Sequence, residues 1–236
     1  MSALKTPEKS SRRKELRATS LVDLYARTLL FYEENKTLVY GAGVGVVLLL
    51  VGIGFYVWHS QQQEAEAQQH LGQIERFYAM GDYESALQGT GDLMGLLEIA
   101  DAYSGTEAGN LANFYIASAY LRTDLHDDAL TYFERFDKDR DLIGASAYAA
   151  EASIFEDRGE YIEAADRYER AADFADSAHI SPQYLISAGR AYEAANELDS
   201  AHAVFSRIRS EFVDTPEADE VQRLIARVEA KQARAS

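Results

Sequence analysis

The sequence predicts an all-α protein: a single transmembrane helix, then an α-solenoid of about four helical hairpins closed by a C-terminal capping helix. Three observations predict it. Residues 38–58 form a run of 21 residues without a charge. Beyond that run, one turn-and-alanine pattern returns four times. Residues 216–233 then carry an apolar stripe of Val221, Leu224, Ile225 and Val228 at helical spacing.

The chain begins with a polar stretch, residues 1–19, which holds Lys5, Lys9, Arg12, Arg13, Lys14 and Arg17 and no core-forming pattern. It reads as a disordered cytoplasmic tail. Residues 20–37 differ. Ser20 and Asp23 resemble a capping box, and Leu21, Leu24, Tyr25, Thr28, Phe31 and Tyr32 recur at helical spacing. This predicts an amphipathic juxtamembrane helix, which lies at the interface or docks on a partner's cytoplasmic loops.

Residues 38–58 follow. As a helix they are about 31 Å long, close to the ~30 Å hydrocarbon core of a bilayer. The backbone of one isolated segment is satisfied in lipid only as a helix. Tyr40 near one end and Tyr56 and Trp58 at the other suit the headgroup layers. A cleaved signal peptide is the competing reading, with Ala65-Glu66-Ala67 as a cleavage pattern. Its apolar region would span only about 7–15 residues behind a short leader. Here 37 residues come first, so an uncleaved anchor is expected.

Charge sets the orientation. The chain carries a formal −16, and its first 37 residues carry +3, which leaves −19 for the rest. Arg17, Arg27 and Lys36 precede the span closely, whereas the first basic residue after it is Arg76. The positive-inside rule then puts the N-terminus in the cytoplasm and residues 59–236 across the membrane, in the periplasm of a bacterium. The acidity argues against nucleic-acid binding. With no cysteine, the chain has no disulfide, thiol nucleophile or thiolate metal site.

Residues 59–69, rich in Gln, Glu and Ala, hold no helix breaker, so the helix is expected to run on into residues 59–236. That extracytoplasmic domain repeats itself. Turn-forming groups precede Ala86, Ala129, Ala164 and Ala201, which are spaced 43, 35 and 37 residues apart. A tetratricopeptide repeat (TPR), a pair of antiparallel helices, is about 34 residues long. Small and aromatic residues sit ahead of the turns: Ala117 with Tyr120, Ala152 with Phe155, Gly189 with Tyr192. Four residues past the alanine stand Phe133, Tyr168 and Phe205. The small residues let the first helix (A) approach the second (B), and the aromatics fill the groove between hairpins. The first repeat is degenerate, with Ile74 and Phe77 before its turn but Thr90 in the aromatic place. Residues 89–109 depart from the pattern and predict an irregular or lengthened second helix, then a loop near 104–109. Residues 216–233 are the terminal cap that a solenoid needs.

Nothing in the sequence nominates chemistry. The histidines form no His-x-x-x-His or Glu-x-x-His set, and there is no phosphate-cradling glycine loop or serine elbow. No metal, cofactor or catalytic residue is expected, and the reading is a binding module and not an enzyme. Gly41 and Gly45 make a Gly-x-x-x-Gly spacing that suits close helix contact in the membrane. Stacked hairpins present a concave surface built from the A helices. Tyr115, Arg122, Tyr148, Tyr184 and Arg190 are the candidates to line it as a partner-binding surface, or else to pack between repeats.

The order of parts carries a resemblance. Phe31-Tyr32-Glu33-Glu34-Asn35-Lys36 is followed by a Gly-rich span that ends Phe55-Tyr56-Val57-Trp58-His59, then by a Gln- and Ala-rich helix and the repeats. This resembles the bacterial YfgM-type family, ancillary subunits of the Sec translocon. The resemblance implies an inner-membrane protein with a cytoplasmic N-terminus. Its repeats would associate with translocon subunits, periplasmic chaperones or newly exported polypeptides. The basic N-terminal tail and the insertion after Ala86 depart from that pattern. The alternative is a TPR scaffold for envelope assembly or cell division.

Overall fold

The computed structural model describes residues 33–213 and 215–235. The expected tail, residues 1–19, and most of the expected juxtamembrane helix, residues 20–32, lie outside the described residues. The chain divides after Gln61 into two compact units.

In the first unit the described chain is essentially one helix. It belongs to α1, Lys36–Ala79, which continues without a break into the second unit. Among the described residues α1 is the one helix long and apolar enough to cross a membrane. Val46, Leu48, Leu50, Ile53 and Phe55 are all exposed along it.

In the second unit, α1 contributes Ala67, Leu71 and Ile74 to a buried core. It pairs with the short α2, Tyr83–Gln88. Three full hairpins follow: α4 (Glu107–Arg122) with α5 (His126–Arg135), α6 (Leu142–Asp157) with α7 (Tyr161–Ala175), and α8 (Ser181–Ala194) with α9 (Leu198–Glu211). The last helix, α10, is Pro216–Ala235.

The four A–B turns are built alike. Gly81, Asp124, Gly159 and Asn196 each take a positive φ, between 60° and 80°. In each turn the carbonyl of the helix-A aromatic accepts a backbone N–H from five residues on. The pairs are Phe77 with Asp82, Tyr120 with Leu125, Phe155 with Glu160 and Tyr192 with Glu197, at 2.8–2.9 Å. These bonds satisfy carbonyls that a helix end leaves orphaned, and the left-handed residue makes them geometrically possible. Glycine and asparagine reach that region cheaply, and aspartate does so through its short polar side chain.

The repeat register follows from sterics. Ala86, Ala129, Ala164 and Ala201 are fully buried, as are Ala117 and Ala152 on the facing A helices. Phe133, Tyr168 and Phe205 fill the space that those small residues leave. The core has three parts. One spans repeats one and two. One runs through repeats three and four and includes Val221, Leu224, Ile225 and Val228 of α10. A smaller one, of Ala117, Ala129, Phe133, Phe136, Ala147 and Ile154, joins repeat two to repeat three.

Of the irregular or lengthened second helix expected after Ala86, the structure shows the irregular form. α2 stops at Gln88. A two-stranded hairpin follows, β1 (Gly89–Thr90) antiparallel to β2 (Leu93–Met94), and then a short helix α3, Leu96–Ala102. The cause is local. Gly89 has φ +80°, outside helical space. A Cβ on Gly95 would stand 2.4 Å from Gln88 C, Gly89 N and Leu87 O, so the chain closes on itself only without one. The loop expected near 104–109 is shorter than predicted. Thr106 caps α4 by accepting from Gly109 N at 3.0 Å, and Glu64 of α1 accepts from Glu107 N at 2.7 Å and Ala108 N at 3.2 Å.

α10 is held by charge as well as by its apolar stripe. Glu193 pairs with Arg227 and, at 2.8 Å, with Lys231. Burial raises the Glu193 carboxyl, but the Lys231 and Arg227 hydrogen bonds and charges outweigh it, and the pKa ends below its ordinary value.

Candidate protein-interaction groove

A groove of about 420 Å³ opens where the A helices of the first three repeats meet. Its aromatic wall is Tyr78 of α1 with Phe114 and Tyr115 of α4. Its hydroxyl wall is Ser118 of α4 with Ser146 and Ser153 of α6, and Leu121 and Arg122 lie toward the end of α4. Tyr78 and Tyr115 pack against the core of repeats one and two, and Phe114, Leu121 and Ala150 against the third core. On the side of the B helices, α5 is 10 residues long where α7 and α9 are 15 and 14, so repeat two ends early. Phe136 then turns to an extended backbone with ψ 117°.

The wall is ordered by ring contacts. Tyr78 and Tyr115 meet edge to face with centroids 5.1 Å apart, and Phe114 meets the buried Phe133 at 6.2 Å. Such pairs add roughly 0.5–1.5 kcal/mol beyond burial. The Tyr115 phenol is pushed up to about 12, first by burial and then by the hydrogen bond and charge of Glu75, with Tyr78 adding to it. It therefore stays protonated at neutral pH. The Ser146 hydroxyl donates to Leu142 O at 2.7 Å and that of Ser153 to Ala150 O at 2.8 Å. Their protons are committed to the helix, so they face the groove with acceptor lone pairs.

Of the candidate surface residues, the groove brings together Tyr115 and Arg122. The other three stand elsewhere. Tyr148 packs edge-on against Phe174 of α7, 4.8 Å between centroids, with Lys138 and Arg170 over its ring. Tyr184 packs against the core of repeats three and four. Arg190 pairs with Glu220 of α10 at 2.9 Å. Phe114, Tyr78 and the three serines were not singled out from the sequence. Phe114 and Tyr115 are adjacent, and aromatic type alone does not say which ring faces a groove formed with a helix 30 residues on.

A buried ion cluster lies beside the junction. Glu151 of α6, 3% exposed, sits 3.0 Å from Lys138 Nζ. On its other side Arg167 Nε lies 2.8 Å away, off the N–H direction, so that contact is an ion pair and not an aligned hydrogen bond. Among the described residues no group of three or more His, Asp or Glu is placed to hold a metal ion.

No family model matches the chain, and no curated protein matches it. Solved structures do. Two crystal structures of a kinesin light chain from Podosopora anserina with nearly identical TPR-like repeats, one of them a point variant, are similar at a TM-score of 0.51 and 14% identity. They cover 72% of this chain and 88% and 89% of theirs. At that identity the likeness shows the fold: an all-α solenoid of TPR-like helical hairpins.

Proposed function

We propose that the protein is a non-catalytic, membrane-anchored interaction module, an accessory of the Sec translocon that links it to periplasmic chaperones or newly exported proteins. The observation that carries the reading is the groove, an aromatic and hydroxyl-lined opening on a TPR-like solenoid. Tyr and Arg at such a place are typical anchors of protein contacts. The anchor is residues 38–58 of α1, with the N-terminus in the cytoplasm of a bacterium, the span in its inner membrane and residues 59–236 in the periplasm. The uncharged length of that run and the basic residues before it support this reading. Tyr115 and Arg122 contact the partner, whereas Tyr148, Tyr184 and Arg190 hold the repeats that shape the groove. The Sec assignment rests on the resemblance of residues 31–69.

Isolation of the tagged full-length protein from its native membrane in mild detergent, with mass spectrometry of its companions, tests this. Translocon subunits and a periplasmic chaperone are expected, and they should be lost when residues 20–58 are replaced by another anchor. Recovery with peptidoglycan-synthesis or division proteins and no Sec component would overturn the assignment and favour an envelope scaffold.

A further inference from the structure

Two stretches of the solenoid each have a continuous core, and the seam between them is thin. In the far half, repeats three and four share Tyr168 and Ala172 of α7 with Leu185 and Ile186 of α8. In the near half, repeats one and two share Leu96 and Ile99 of α3 with Ala112 and Ile116 of α4. Across the seam between repeats two and three, α6 supplies buried Ala147 and Ile154 and partly buried Ala150, a single stripe in which two of the side chains are only methyl groups. Among the described residues α7 adds nothing to that core, and α5, the helix it would stack beside, stops at Arg135.

The chain crosses the seam in residues 136–141, which form no helix. Asp137 is tied to the near half: its N–H donates to Asn110 Oδ1 of α4 at 2.7 Å, and its carbonyl accepts from Asn110 Nδ2 at 2.9 Å. Arg140 is tied to the far half, donating to Asp173 O of α7 at 2.9 Å, and Asp141 caps α6 by accepting from Gly144 N at 2.8 Å. Lys138 stands between and holds both. Its ammonium donates to Phe133 O and, at 3.5 Å, to Phe136 O, and it pairs with Glu151 of α6 at 3.0 Å. The other ion pair across the seam, Asp127 of α5 with Arg158 at 2.6 Å, has its carboxylate 97% exposed and so holds little. Few buried apolar contacts make a seam cheap to open, and hinges are short segments that absorb the change in φ and ψ. We infer that residues 137–140 are a hinge about which repeats one and two turn against repeats three and four with α10, and that Lys138 is the pin that holds the two bodies in register. The groove walls ride on different bodies, Phe114 and Tyr115 on one and Ser146 and Ser153 on the other, so the hinge sets their separation whatever occupies the space.

The chain has no cysteine, so introduced pairs take nitroxide labels without background. The full-length protein in detergent micelles carries Gln73→Cys with Thr131→Cys inside the near half, Glu163→Cys with Gln222→Cys inside the far half, or Gln73→Cys with Gln222→Cys across the seam; all four positions are exposed. Double electron–electron resonance reads the distances. Gln222 lies two helix layers beyond α6, roughly 20 Å at about 10 Å per layer. A rigid-body rotation of about 15° then moves its label by about 5 Å. Lys138→Met keeps the apolar stem and leaves Glu151 with Arg167, so this variant is expected to fold. It should broaden or shift the cross-seam distribution by about 5 Å and leave both within-half distributions unchanged. Ile154→Ala, which trims the largest far-half side chain of the seam, should do the same. Arg207→Gln breaks pairs with Asp173 and Glu211 inside the far half and should move none of the three distributions. An unchanged cross-seam distribution in both seam variants overturns the hinge. So does broadening of the within-half pairs alongside it, which is a solenoid loosening throughout, and so does an equal response to Arg207→Gln. A response to Ile154→Ala alone overturns the role of Lys138 as the pin.

Discussion

Gly189→Ala puts a methyl group into the ring of Phe205. A Cβ at position 189 would stand 2.3 Å from Phe205 Cε1, 2.6 Å from Cζ and 2.8 Å from Cδ1. Phe205 is fully buried, between α8, α9 and the rest of the core of repeats three and four, so its ring has no free volume to enter. Overpacking of this kind costs about 1–3 kcal/mol. Against it stands a gain of about 1 kcal/mol, because alanine is the better helix former. Gly72→Ala isolates the two effects. Gly72 is also inside a helix, but it is exposed and a Cβ there meets nothing within 4 Å. That variant should therefore show the propensity gain alone. The difference between the two variants should be about 2 kcal/mol. For a domain of this size that is roughly 4–8 °C in Tm. Thermal unfolding of fragment 62–236 by circular dichroism measures it. Equal shifts in both variants would refute the claim that a missing side chain at 189 lets the helices of repeat four approach.

Three further perturbations probe other contacts. Ala164→Arg places a charge in the fully buried contact of repeat three and should cost more than about 3 kcal/mol; an unchanged melting temperature would show the repeat register to be wrong. Glu151→Ala leaves Lys138, whose side chain is 9% exposed, without its carboxylate; a loss of about 3 kcal/mol in urea denaturation is expected, and a neutral result would mean that Lys138 turns out to solvent. The depressed pKa of Glu193 contributes stability that is present above the unfolded glutamate value, about 4.3, and is lost as pH falls through the lower folded value. Tm should therefore fall more steeply with acid in the native chain than in Glu193→Gln, and parallel curves would contradict the Arg227–Glu193–Lys231 clamp.

What was legible in the sequence is what recurs. Ala86, Ala129, Ala164 and Ala201 mark the four hairpins because each faces the same steric demand, and Gly81, Gly159 and Asn196 mark turns because few residues reach positive φ. The stripe of α10 was legible because one face of a terminal helix is all that a cap requires. The hairpin at 89–94 was not, since it depends on how closely Gly95 approaches Leu87 and Gln88 and not on any periodicity. The groove was half legible. Tyr115 and Arg122 have interface chemistry in their own right, but Tyr78, Ser146 and Ser153 join them only across helices. The Glu151 cluster was hidden for the same reason, because Lys138, Glu151 and Arg167 are separated by 13 and 16 residues and come from a loop and two helices. Tyr148 and Arg190 show the converse. Their residue type suits an interface, but Phe174 and Glu220 claim them.

Site-specific photocrosslinking in the native membrane tests the central claim most directly. A photoreactive phenylalanine replaces Tyr115 in the groove or, as a control, Tyr161 at the exposed start of α7. The account predicts discrete protein adducts from position 115 and none, or far fewer, from position 161. Equal adducts at both positions, or adducts at 161 alone, would contradict the groove as the interaction site.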